Sequence, residues 1–137
     1  MKPIRAAFLA LALTAGAAHA GDLAIRIDDV KTARGQLMVA LYSSADGFLK
    51  ESVRTSAAPA AAGSTTVVFK DVPAGDYGFA LYHDANGNGK MDRNPIGLPV
   101  EDYAFSNNAT GNMGPPSFDQ AKFTLPQAGT TVTVSLR

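Results

Sequence analysis

Apolar and polar residues alternate with period two in several short stretches, and that alternation predicts β-strands buried on one face. Leu23, Ile25 and Ile27 alternate with Ala24 and Arg26 in the first stretch. Leu37–Tyr42 is an apolar run opened by Gly35, and Thr65–Phe69 is β-branched and aromatic. Tyr77–His83 follows a Pro73-Ala74-Gly75 turn, while Ala121–Leu125 and Thr130–Leu136 close the series around Pro126 and Gly129. About seven short strands separated by turn residues predict an all-β fold, an antiparallel β-sandwich. Between Ser44 and Ala62 the pattern weakens: Phe48, Leu49 and Val53 suit a short helix or an irregular crossover, and Ala57–Gly63 reads as a flexible connection.

Two of the strands echo each other. Gly35–Tyr42 and Gly75–Tyr82 align residue for residue, both ending Ala-Leu-Tyr. Parity puts Leu37, Val39 and Leu41, and likewise Tyr77, Phe79 and Leu81, on one face, the expected core. Ala40, Tyr42, Ala80 and Tyr82 take the other. Two matched strands are too few for a repeat protein, and equivalent positions in a sandwich explain them.

The opening twenty residues follow a different logic. Lys2 and Arg5 precede an apolar stretch, Ala6–Ala15, and Ala18-His19-Ala20 has the A-x-A form of a cleavage site. This predicts a signal peptide over residues 1–20 and a single domain over residues 21–137, exported to the periplasm or the exterior. The run is shorter than the roughly 20 apolar residues that span a bilayer, so no membrane insertion is expected after cleavage. The chain has no cysteine, so its stability must come from core packing or a metal instead of disulfides. Without Lys2 and Arg5, ten basic residues face twelve acidic ones. No basic cluster offers itself to a row of phosphates, which argues against nucleic acid as a partner.

Candidate chemistry collects in one place. Residues 84–120 show no clear periodicity, and a loop of that length in a small domain is usually functional. Ile96, Leu98, Val100, Tyr103, Phe105, Met113 and Phe118 give it apolar weight and are expected to tuck against the sandwich. Its start, Asp84-Ala85-Asn86-Gly87-Asn88-Gly89-Lys90-Met91-Asp92, places side-chain oxygens at every second position before a glycine turn. That is the first half of an EF-hand-type calcium loop, with Lys90 offering its carbonyl and Asp92 at the ninth position. Pro95 stands where a bidentate glutamate is normal, so Glu101 or Asp102 would have to complete the shell. The competing reading is that Asn-Gly-Asn-Gly is turn chemistry alone. The calcium ligands expected are Asp84, Asn86, Asn88, Lys90, Asp92 and Glu101. His83 is the one histidine beyond the leader, which excludes a two-histidine zinc or iron site within the domain. Asn108-Ala109-Thr110 also matches a glycosylation acceptor.

The span Phe69-Lys70-Asp71-Val72-Pro73-Ala74-Gly75-Asp76-Tyr77 resembles the F-x-x-(L/V)-P-x-G-x-Y signature of transthyretin-like, prealbumin-type sandwiches. With it come His83-Asp84, the asparagine-glycine run, Ile96-Gly97-Leu98-Pro99, Phe105-Ser106-Asn107-Asn108 and Gly114-Pro115-Pro116-Ser117-Phe118. Together they resemble a bacterial family known as domain of unknown function 2141, across essentially the whole domain. The resemblance implies an exported protein with an immunoglobulin- or prealbumin-like sandwich, and it carries no active site. The acidic loop is also similar to the calcium-binding stretch of adhesin B-type repeats.

Three functions compete. The first is a non-enzymatic binding or accessory module, presenting Tyr103, Phe105, Asn107, Asn108 and Phe118 to a protein, peptide or glycan. The second is a structural cell-envelope protein with no ligand beyond the ion. The third is a small hydrolase with Ser106 or Ser117 as nucleophile and His83 as base. No G-x-S-x-G elbow supports the last, and the adjacent Glu101 and Asp102 cannot flank one bond from a strand. No catalytic residue is therefore expected.

Overall fold

The computed structural model describes residues 20–97 and 99–137. The predicted leader up to residue 19, and the expected packing of Leu98, lie outside the described residues. Among the described residues there are eight strands: β1 (Ala20–Val30), β2 (Gln36–Tyr42), β3 (Arg54–Pro59), β4 (Gly63–Pro73), β5 (Gly75–Asp84), β6 (Tyr103–Phe105), β7 (Phe123–Leu125) and β8 (Thr130–Ser135). A 3-10 turn, Ser106–Asn108, and a one-turn helix α1, Phe118–Ala121, interrupt them.

The strands form two sheets, as the alternation predicted. One runs β4-β1-β8; the other runs β3-β2-β5-β6, with β7 pairing the opening residues of β5. All pairings are antiparallel but one: β8 lies parallel to β1, from Leu23 opposite Thr130 to Asp28 opposite Ser135.

Burial follows parity. Leu23, Ile25 and Ile27 of β1 meet Leu37, Val39 and Leu41 of β2 and Tyr77, Phe79 and Leu81 of β5 in one core, joined by Val67, Phe69 and Val134. Each such side chain contributes about 1.5–3 kcal/mol by leaving water. On β4 the buried set slips from Thr65, Val67 and Phe69 to Val72. The slip is a β-bulge: Gly21 faces Val72 while Leu23 faces Phe69, which leaves Lys70 and Asp71 opposite Asp22. Asp71 turns through φ 53° there, and its N–H and the Lys70 ammonium both bond the Asp22 carboxylate, at 3.2 and 3.1 Å. The bulge, the Pro73 corner and the Tyr77 hydroxyl donating to the Pro73 carbonyl at 2.7 Å are the physical content of the Phe69–Tyr77 motif.

Three expectations need correcting. Ala57–Gly63 is not a flexible connection over its first residues, because β3 pairs along β2 from Gln36 opposite Pro59 to Leu41 opposite Arg54. Its small, mostly exposed residues hide it from any hydrophobic pattern. Ala121 ends α1 instead of opening a strand, since Ser117 caps that turn in a capping box with Gln120 and holds the chain helical as far as Ala121. The long segment is also less irregular than its sequence, as β6 lies within it.

The second sheet has a covered outer face as well. Tyr42, Phe48, Phe118 and Ala121 form a smaller cluster there, with Phe48 edge-on to both Tyr42 (5.2 Å) and Phe118 (5.7 Å). The two phenyl rings sit on Gly78, where a Cβ would approach both at 3.4 Å. The same face continues toward β6, and the candidate site lies there.

Candidate functional site

The acidic loop starts at the end of β5. Asp84 is wholly buried, and its two carboxylate oxygens accept the N–H groups of Asn88 (3.2 Å) and Gly89 (2.8 Å). Gly89 at φ 73° lets the chain turn back over the carboxylate. Asn86 Oδ1 accepts from the Asn88 N–H (3.2 Å), and Asn88 Oδ1 accepts from the Lys90 N–H (2.9 Å). Both amide groups then donate to Asp92, Asn86 at 2.5 Å and Asn88 at 2.8 Å. Glu101 does fold back: Oε1 accepts from the Asp92 N–H (2.8 Å) and Oε2 from the Ala85 N–H (3.2 Å). Asp102 faces away and pairs with Lys31 at 3.1 Å.

The structure therefore brings Asp84, Asn86, Asn88, Asp92 and Glu101 into one hydrogen-bonded unit, with Lys90 on its exposed turn. Their oxygens are engaged by N–H groups. Among the described residues no group of three or more His, Cys, Asp or Glu stands ready to hold a metal ion. A calcium ion would have to take Asp92 from the two amides and turn the asparagine oxygens inward. None of the three ion pairs among the described residues involves Asp84, Asp92 or Glu101. Their uncompensated charge reaches Tyr82, whose hydroxyl is raised above its ordinary pKa by burial first and then by Asp84, Glu101 and Asp92.

The remaining candidates are placed as follows. His83 is buried on the core side, its Nε2 2.6 Å from the Arg34 carbonyl. Gly35 lies beside it at φ 68°, where any Cβ would collide with the Asp84 carbonyl oxygen. Ser106 is buried against β5, donating to the Ala121 carbonyl at 2.5 Å and accepting the Phe79 N–H at 3.0 Å. Asn107 donates to the Gln120 and Lys122 carbonyls (3.1 and 2.8 Å), and Asn108 accepts the Ser135 N–H (2.9 Å). Phe118 is packed in the outer cluster. These side chains hold the loop in place. Ile96 and Met113, expected to tuck inward, are 80% and 105% exposed, and Val100 is 59% exposed. They lie on the loop's solvent side, because the inner layer is already filled by Tyr103, Phe105 and Phe118.

Tyr103 and Phe105 lead to a feature that the candidate set missed. They are half-buried on the outer face and pack edge-to-face at 5.9 Å. Cross-strand register sets Met38 opposite Tyr82 and Tyr82 opposite Tyr103; the next row runs Thr55, Ala40, Ala80, Phe105. The alanine pair leaves a low floor of two methyl groups between taller walls. Above it lie Met91, Arg93, Pro99, Thr110 and Met113–Pro115, bounding a half-open cavity of about 740 Å³. The signal was present in the twin Ala-Leu-Tyr echo, since strands aligned at Ala40 and Ala80 place two small residues side by side. What the sequence lacked was the pairing that makes them neighbours.

The model of a bacterial family, described as "Uncharacterized protein conserved in bacteria (DUF2141)", matches residues 25–133. The chain belongs to that family. The DUF2141 match begins in β1 and ends in β8, so the acidic loop, the cavity floor and the cavity roof all fall inside it. The transthyretin-like likeness rests on the Phe69–Tyr77 motif alone. No curated protein and no solved structure matches the chain.

Proposed function

We propose that this DUF2141 protein is an exported, non-enzymatic binding module whose ligand enters the cavity between the outer face of the larger sheet and the 84–120 loop. The observation that carries the reading is the cavity itself, about 740 Å³ and lined largely by methionine, tyrosine and small apolar residues. That size and lining are those of small-molecule sites. Methionine adapts to varied shapes, and tyrosine gives contact area with a polar tip. The leader pattern in residues 1–20 supports export. Among the described residues no helix is long and apolar enough to cross a membrane. Ser106 and Ser117 are engaged in backbone bonds apart from His83, which favours binding over hydrolysis.

Calcium is the ion proposed for the acidic loop, with Asp84, Asp92 and Glu101 supplying carboxylates and Asn86, Asn88 and Lys90 neutral oxygens. The uncompensated negative charge of the three carboxylates supports it. Since several ligands must first break hydrogen bonds, an affinity of about 10⁻⁴–10⁻³ M is expected, the weak extracellular range.

A thermal-shift screen against a small-molecule library tests the module. The expected result is that hits raise the melting temperature of the wild type and leave Ala40→Leu unmoved, its floor being filled. Hits that stabilise Ala40→Leu equally place the ligand elsewhere.

A further inference from the structure

The walls of the cavity narrow the chemistry of its occupant. Among the described residues the hydroxyls of Tyr42, Tyr82 and Tyr103 have no hydrogen-bond partner, whereas that of Tyr77 is spent on Pro73. No buried side-chain oxygen or nitrogen is left unsatisfied, so these three hydroxyls open onto solvent or the cavity. A phenol keeps its proton at neutral pH, so each of the three can donate. The lining thus offers several phenolic donors and no side-chain carboxylate acceptor.

Charge selects further. Arg93 is the one charged residue in the lining; it is exposed at the rim and donates to the Gly97 carbonyl at 2.9 Å. It disfavours a cation at the mouth. Inside the rim no charged side chain among the described residues lines the cavity, so an anion buried there would lie unpaired. The row from Thr55 to Phe105 crosses four strands, so the floor is about 14 Å long at roughly 4.8 Å per strand. A flat or extended body fits above Ala40 and Ala80, with polar atoms directed at the tyrosines.

We propose that the cavity takes a neutral, largely apolar small molecule bearing hydrogen-bond-accepting oxygens, such as carbonyl or ether groups, with its apolar body on Ala40 and Ala80. This rests on the reading of the cavity as a ligand site. The phenols donate to the acceptor oxygens, and burial of the ligand's apolar surface supplies most of the affinity.

Nile red tests it directly, being neutral, apolar and carbonyl-bearing, with emission that shifts to the blue on leaving water. The wild type is expected to bind one equivalent. Ala40→Leu and Ala80→Leu, each checked by thermal melt, are expected to weaken binding about tenfold or more, and the double variant Tyr82→Phe/Tyr103→Phe roughly threefold to tenfold. Met113→Glu, altering an exposed side chain at the mouth and also checked by thermal melt, is expected to weaken binding severalfold by setting a carboxylate against the ligand's acceptor oxygens. Anilinonaphthalene sulfonate, an anion, and a cationic dye of similar size are expected to bind at least about tenfold more weakly than Nile red. Undiminished Nile red binding by the two leucine variants and by Met113→Glu, or no binding by the wild type, overturns the site and with it the proposed function. Blocked leucine variants combined with an undiminished phenylalanine double variant, or with a charged dye bound as tightly, overturn the neutral-acceptor class and leave the site standing.

Discussion

Asp84 is fully buried at a strand end, yet both its oxygens are occupied, by the backbone N–H groups of Asn88 and Gly89. Hydrogen bonds to a charged acceptor are the stronger kind, worth about 1.5–3 kcal/mol each. Asp84→Ala removes both and strands the Gly89 N–H, while the Asn88 N–H keeps Asn86 Oδ1, so a loss of about 2–4 kcal/mol is expected in urea unfolding without any added ion. A loss under about 1 kcal/mol would mean that the loop holds itself together by other contacts. The importance of Asp84, Asn86, Asn88 and Asp92 was legible from their spacing. Their present partners were not, because the same Asx side chains that ligate a cation also accept backbone N–H groups, and spacing does not separate the two. Glu101 was legible only as one of two neighbours. Its selection over Asp102 depends on strand parity: one side chain points to the loop, and the other reaches Lys31.

At the scale of elements, the first, second and fifth strands were legible because their buried sets alternate cleanly. β3 was not, since Arg54–Pro59 carries no apolar stripe and owes its conformation to pairing with β2. The bulge in β4 was hidden for a different reason: the slip in parity between Phe69 and Val72 looks like a strand end until the Pro73 corner is seen. The bulge makes the sheet sensitive to pH. Bonds from the Asp71 N–H, then the Lys70 ammonium, hold the Asp22 carboxyl below its ordinary value of 3.8. A carboxyl with a depressed folded value contributes its stabilisation in full above the unfolded value and loses it as pH falls through the folded one. Melts recorded from pH 6 down to pH 2 are therefore expected to show Asp22→Asn losing less stability on acidification than the wild type. Parallel curves would remove Asp22 from the acid response.

For the whole molecule, the sandwich could be read in one dimension, and the cavity could not. The cavity exists because two strands forty residues apart in sequence meet with alanine opposite alanine, and because a loop without periodicity crosses above them. The proposed ion site and the cavity share this roof, since Met91, Arg93 and Pro99 line the cavity between the proposed ligands Lys90, Asp92 and Glu101. At about millimolar calcium and the proposed affinity, linkage adds roughly 0.4–1.4 kcal/mol. Calcium is accordingly expected to raise the melting temperature by about 2–8 °C, with magnesium weaker and Asp84→Ala unresponsive. Identical melts in calcium and chelator would leave turn chemistry as the loop's whole explanation.

Methyl-labelled alanine and methionine give the most direct test of the cavity as a ligand site. During an NMR titration with Nile red, the methyl signals of Ala40, Ala80 and Met38 are expected to shift together and saturably. Those of Ala104 in the inner core and Ala24 on the opposite sheet should stay in place. Saturable shifts confined to other methyls, with Ala40 and Ala80 unmoved, would contradict the account.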